Sequence, residues 1–96
     1  MRVDFTKCEM RDVEGHVIHD EKPFWKGLAA YIYEASSNFD LVDIAQDLFR
    51  DGAAEMTDSM ITELIKMVKD EKCRTAAFVK RNIVRHLEQV KQRNEG

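Results

Sequence analysis

The sequence is poor in residues that break regular structure or cross-link a small fold. It has one proline, four glycines and two cysteines among 96 residues. Such a composition excludes a collagen-like or low-complexity chain, and the 44% hydrophobic content is too high for a disordered acidic segment. Two cysteines are too few for a secreted disulfide scaffold of this length, so we expect reduced thiols and a cytoplasmic location.

Long apolar segments are also missing. No apolar run approaches the ~20 residues that a helix needs to cross a bilayer, and we therefore expect no membrane contact. The first five residues contain neither the apolar segment nor the cleavage site of a signal peptide, so we expect none. A chain of this length can bury one core without cross-links, which predicts a single domain over 1–96.

Charge, in contrast, is plentiful and unevenly distributed along the chain. Residues 1–71 hold 8 basic and 16 acidic side chains, whereas residues 72–94 hold 7 basic and 1 acidic side chains. The formal net charge of −3 therefore combines −8 from the first segment, +6 from the second and −1 from Glu95. This division indicates a basic surface that meets either a partner or an acidic part of its own fold.

The first twenty residues are typical of a β-hairpin. Residues 2–11 are rich in β-formers such as Val3 and Phe5, and Gly15 can supply the positive φ of a tight turn before the short run 16–19. We therefore predict strand–turn–strand over 2–20. Because a lone two-stranded hairpin is only marginally stable, it should pack on the first helix or pair with a second copy. The second alternative predicts a homodimer.

Four segments with apolar residues at three- and four-residue spacing follow Pro23. The predicted helices are 24–36, 40–51, 57–70 and 75–93. The spacing in the second helix predicts that Phe49 faces the core with the other apolar residues of that helix. We expect Gly52 to end the second helix and Thr57 to cap the start of the third. The predicted fold class is α+β, with an N-terminal β-hairpin followed by four α-helices that form a small helical core.

Residue types that support catalysis are present without a suitable arrangement. Cys73 lies between Lys72 and Arg74, which would lower a thiol pKa, but His86 is thirteen residues further along the same segment and too far to act as its base. The chain contains no glycine-rich phosphate loop, nucleophile elbow or zincin motif. We predict a protein that is not an enzyme, with no catalytic residues and no cofactor.

Two groups of residues resemble metal ligands. His16 and His19 lie near Cys8 on the predicted hairpin, but residues three apart on a strand point to opposite faces and cannot easily converge on one ion. Aspartates also recur at three- and four-residue spacing along the second helix. They are Asp40, Asp43, Asp47 and Asp51. Since a solvated helix face accounts for this acidic ridge, we predict no metal site.

The basic residues of the last segment are the best candidates for a binding site. Arg74, Arg81 and Arg85 fall within about 40° of one another on a helical projection, on the face opposite an apolar seam. The seam consists of Ala76, Val79, Ile83, Leu87 and Val90. Phe78 lies beside the three arginines, and these four are our candidate partner-binding residues. Their face could dock onto an acidic protein surface or contact nucleic-acid phosphates. The net negative charge and the lack of a helix-turn-helix spacing favour the protein partner.

Several short segments resemble the corresponding parts of a known group of proteins. The segments are 3–7, 12–15, 26–33, 41–52, 55–58 and 78–81. Together they resemble small uncharacterised proteins of bacterial prophages and integrative elements. The resemblance implies a phage-type accessory or assembly protein and supplies no catalytic residues. In that group a β-branched residue near 53–54 favours a short strand, whereas this chain has two alanines there.

Overall fold

The structure is a computed structural model that describes residues 1–8, 10–11, 13–18 and 23–95. Its elements are β1 (Arg2–Asp4), a 3-10 helix (Phe5–Lys7), α1 (Phe24–Ala35), α2 (Phe39–Asp51), β2 (Ala53–Glu55), α3 (Asp58–Lys69) and α4 (Ala77–Glu95). The predicted α+β class with four helices is confirmed, and each helix begins and ends within two residues of its predicted bounds. No helix in the described ranges is long and apolar enough to span a bilayer.

Local sequence signals account for the helix ends. The Asn38 side chain accepts a hydrogen bond from the backbone of Asp40 at the start of α2, and the Thr57 side chain accepts one from Met60 at the start of α3. Gly52 ends α2 in the left-handed conformation, with φ +71°. The predicted roles of Gly52 and Thr57 are confirmed.

The N-terminal strand has a partner that the hairpin interpretation did not include. The chain does turn back at residues 10–18, where an antiparallel bridge joins Arg11 and Val17. Strand β1, however, pairs antiparallel with β2, so that Val3 lies opposite Ala54. Both of these side chains are buried, and burial favours this pairing over the exposed turn. His19 and Asp20, at the end of the predicted hairpin, lie outside the described residues.

The two alanines of β2 form a strand despite their low β propensity. The ladder with β1 supplies the hydrogen bonds, and the small side chains of Ala53 and Ala54 are almost fully buried where larger ones would need more space. Tertiary pairing therefore overrides the local preference of the sequence. Because β1 is paired within its own chain, an unpaired N-terminal strand no longer argues for a homodimer.

The N-terminal segment (residues 1–8) is held by hydrogen bonds to distant parts of the chain. The Phe5 amide donates to the Gly52 carbonyl at 2.8 Å, and the N-terminal ammonium donates to the Met56 carbonyl at 3.0 Å. His86 Nε2, on α4, donates to the carbonyl of Asp4 at 2.9 Å. These contacts join the N-terminal segment to β2 and to α4.

The core lies between two helix pairs, α1 with α2 and α3 with α4. Its largest fully buried side chains are Phe5, Ile32, Leu41, Leu48, Met56, Ile61, Leu64, Leu87, Val3 and Val68. The Phe5 ring makes an edge contact with Phe24, with ring centroids 5.7 Å apart. Helix α4 contributes one face to this core, through Ile83, Leu87 and Val90. On the opposite face, Phe78, Arg81 and Arg85 are exposed.

Candidate interaction surface

The four candidate partner-binding residues lie in and before the first half of α4. Phe78, Arg81 and Arg85 share one stripe of the helix at positions i, i+3 and i+7, and all three are exposed. Phe78 is 46% exposed, which is high for a phenylalanine side chain. Arg74 is also exposed but precedes the helix, in the connection after α3, so helical geometry does not align it with the others.

The described residues do not neutralise these arginines. Within the described part of the chain, the side chains of Arg74, Arg81 and Arg85 make no ion pair and no hydrogen bond. Other basic residues do have partners. Arg50 pairs with Asp47 and Asp51 on its own helix, at 3.1 and 2.9 Å. The positive charge on the outer face of α4 is therefore available to a partner.

Tertiary structure adds two lysines to this face. Lys7 lies beside Arg85 in a cleft of about 170 Å³. Lys69, at the end of α3, lines an open depression of about 460 Å³ with Lys80, Arg81 and Arg85. We call Lys7, Lys69, Lys80, Arg81 and Arg85, together with Phe78, the basic surface.

Sequence reasoning missed Lys7 and Lys69 because they are far from α4 along the chain. The available signal was indirect: Lys69 lies in the last turn of its helix, where a basic side chain is favoured and remains exposed. One acidic residue, Glu88, also lines the larger depression. It lowers the local positive charge without removing it.

The two cysteines lack the environment of an activated nucleophile. Cys8 is half-buried, and burial raises the pKa of its thiol, so the thiol stays protonated near neutral pH. Cys8 and His86 line the same 170 Å³ cleft, a proximity that sequence spacing did not predict. The Nε2 atom of His86 is engaged with the Asp4 carbonyl. Cys73 is buried in the α3–α4 connection, 3.8 Å from the Thr75 hydroxyl.

The acidic ridge of α2 is exposed along its length. Arg50 holds two of its members, and its hydrogen bond lowers the pKa of Asp51. Among the described residues, no three His, Cys, Asp or Glu side chains are grouped so that they could hold a metal ion. His16 lies 3.5 Å from Glu14, while His19 is outside the described ranges.

An apolar groove of about 340 Å³ runs between α1 and α2. We call it the α1–α2 groove, and its apolar lining consists of Ala29, Ala30, Tyr33, Ala45 and Phe49. The periodicity of α2 directed Phe49 to the core, but its side chain is 44% exposed and lies on this outer wall. Phe49 therefore lies at the margin of the contact between α1 and α2.

No family model matches the chain, and comparison with curated proteins and with solved structures finds no match either. The resemblance to prophage proteins therefore stays a prediction.

Proposed function

We propose that the protein is a non-enzymatic interaction or assembly module that binds an acidic protein surface through its basic surface. One observation carries the proposal: Arg81 and Arg85 are exposed and unpaired within the described chain, beside an exposed Phe78. The remainder of the protein is strongly acidic. A cytoplasmic location and an origin in a phage or mobile element belong to the same proposal.

The chemistry of these side chains suits a protein partner. Guanidinium groups pair with carboxylates through two parallel hydrogen bonds, and aromatic and arginine side chains are enriched in the centres of protein interfaces. Phe78 supplies the apolar contact, while Arg81 and Arg85 select for negative charge around it. Charge complementarity of this kind determines the choice of partner and the association rate more than the affinity.

Nucleic-acid binding is the second candidate, and the position of Lys7 and Lys69 favours it. A lysine and arginine surface broader than one helix is what phosphate contacts require. Against this candidate, the net charge of the whole protein is −3, so its long-range field repels a polyanion. Glu88 within the surface acts in the same direction.

A titration with two labelled probes tests the proposal. The probes are a helical peptide rich in glutamate and leucine and a duplex of about 20 base pairs, each measured by fluorescence anisotropy between about 50 and about 200 mM salt. We expect the wild-type protein to bind the peptide and to show no salt-dependent binding of the duplex. R81E/R85E should weaken peptide binding about tenfold or more, because it reverses two central charges.

The matched control is K66E/K72E, which makes the same change in net charge at exposed lysines outside the basic surface. This control should bind the peptide nearly as well as the wild type. Duplex binding that weakens steeply with salt, without peptide binding, would instead establish the nucleic-acid function.

Genomic neighbourhood tests the origin: capsid and tail genes favour assembly, and an integrase with a divergent promoter favours regulation.

A further inference from the structure

The α1–α2 groove has the shape and composition of a docking site. Its floor consists of small side chains, Ala29, Ala30 and Ala45, and its walls carry the aromatic rings of Tyr33 and Phe49. These rings are 54% and 44% exposed. Two exposed aromatic rings around a small-residue floor can accept one further apolar side chain.

The charges at the two ends of the groove differ. Glu34 lines the end near the connection between α1 and α2, and Asp43 is exposed one helical turn before the lining residue Gln46. In the described ranges neither Glu34 nor Asp43 forms an ion pair or a hydrogen bond. At the opposite end, Lys26 Nζ lies 5.2 Å from the centre of the Phe49 ring. An occupant with basic groups is therefore directed toward Glu34 and Asp43.

We propose that the basic surface of one copy docks into the α1–α2 groove of a second copy, head to tail. Phe78 enters the apolar groove, and Arg81 and Arg85 meet Asp43 and Glu34. The proposal rests on the proposed function, since it uses the same face of α4 and names its partner. Two features support it, namely the opposite charge of the two surfaces and the exposed aromatic residue on each of them.

The spacings along the two helices agree. Phe78 and Arg85 are seven residues apart, which is about 10.5 Å along a helix axis, and Asp43 and Phe49 are six residues apart, or about 9 Å. When Phe78 packs against Phe49, Arg85 comes level with the acidic end. The reverse orientation would bring arginines toward Lys26, and repulsion disfavours it.

The two surfaces are different, so the contact is heterologous. In a pair, one copy keeps an unused groove and the other keeps an unused basic surface. Further copies can therefore add until a ring closes or a filament grows. This property suits a protein that assembles. In a symmetric dimer, by contrast, the same patch of both copies would meet. The sedimentation experiment distinguishes that arrangement from the head-to-tail contact.

Sedimentation velocity of the full chain tests the proposal. At about 50 mM salt the wild-type mass should rise above 11.2 kDa as the concentration increases to about 100 µM, and it should fall toward the monomer at about 500 mM salt. R81E/R85E should remain monomeric. A30W, which fills the groove at an exposed position, should also remain monomeric.

Mixing the two variants gives the decisive measurement. R81E/R85E retains an intact groove and A30W retains an intact basic surface, so an equimolar mixture should form a complex of two chains that does not grow further. The controls are K66E/K72E and A35W, a tryptophan at an exposed position of α1 that does not line the groove. Both should associate like the wild type. Matching helical circular dichroism and urea midpoints show that each variant is folded.

Three results would overturn the self-association proposal: a wild type that is monomeric at every concentration, association that survives A30W, or a mixture that stays monomeric. The proposed function fails separately. A monomeric wild type that still binds the acidic peptide through Arg81 and Arg85 would refute only the second copy as partner. A wild-type protein that does not bind the acidic peptide would refute the proposed function.

Discussion

The two ends of the chain are held in contrasting ways. The N-terminal segment is short, but Val3 and Phe5 are fully buried and its backbone is bonded to residues more than forty positions away. Helix α4 is long, yet only one of its faces is buried. Stability therefore depends strongly on a few residues at one end, while the exposed half of the other end can change without unfolding the protein. Substitutions at the two ends of the chain test this contrast.

The largest effect should come from Phe5→Ala. Removing a fully buried ring that packs on Phe24 and His86 leaves a cavity, and we expect a loss of about 3–5 kcal/mol in the free energy of unfolding. Urea denaturation followed by circular dichroism measures it. At the other end, R81E/R85E should change the same quantity by less than about 0.5 kcal/mol. Equal losses in the two variants would show that the contrast is wrong.

A smaller loss is expected from Gly52→Ala, at the residue whose carbonyl accepts the Phe5 amide. Its positive φ strains any other residue, and an added Cβ would lie 2.8 Å from side-chain atoms of Thr6 and Trp25. We expect a cost of about 1–3 kcal/mol in urea denaturation. Gly27→Ala is the matched control, because its added Cβ meets nothing within 4 Å inside α1, where alanine should stabilise by about 0.5–1 kcal/mol.

The smallest effect concerns pH and Asp4, at the end of β1. Hydrogen bonds from Thr6 hold the pKa of the Asp4 carboxyl below the ordinary value of an aspartate. Because the folded pKa is lower than the unfolded one, the carboxylate stabilises the fold above the unfolded pKa, and this contribution is lost as pH falls through the folded pKa. Asp4→Ala should cost about 0.5–1 kcal/mol near pH 6.

The Asp4 measurement is a comparison of urea midpoints near pH 6 and near pH 2.5. The difference between the wild type and Asp4→Ala should shrink at the lower pH. Asp43→Ala serves as the control, since its carboxylate is exposed beyond the first turn of α2 and receives no hydrogen bond among the described contacts. A gap between wild type and Asp4→Ala that is unchanged by pH would contradict the role of the carboxylate.

Local patterns predicted the helices well because periodic apolar residues and capping side chains act within a few residues. Gly52 and Thr57 have the predicted cap positions, and the inner face of α4 follows the predicted seam from Val79 onward. The prediction that Ala76 belongs to this seam was wrong, because Ala76 is exposed and precedes the helix. Helix ends are decided by small differences in free energy, so such errors are expected there.

Pairing between distant segments could not be predicted in the same way. The partner of β1 is about fifty residues away, and the two alanines of β2 offer no local preference for a strand. Phe49 lies at the same helical spacing as the buried residues of α2. The elements that pack against α2 decide which residues at that spacing become buried, and they leave Phe49 exposed. The exposed Phe49 forms part of the wall of the α1–α2 groove, and the spacing of apolar residues within α2 alone could not have indicated this groove.

By itself, the sequence determined the α+β class, the positions of the four helices and the concentration of positive charge on the last of them. These properties depend on the composition and spacing of nearby residues. Only the tertiary structure decided that β1 pairs with β2, that Lys7 and Lys69 join the arginines of α4, and that those arginines remain unpaired within the described chain. The physical reason is that the position of a charge depends on which distant segments pack beside it.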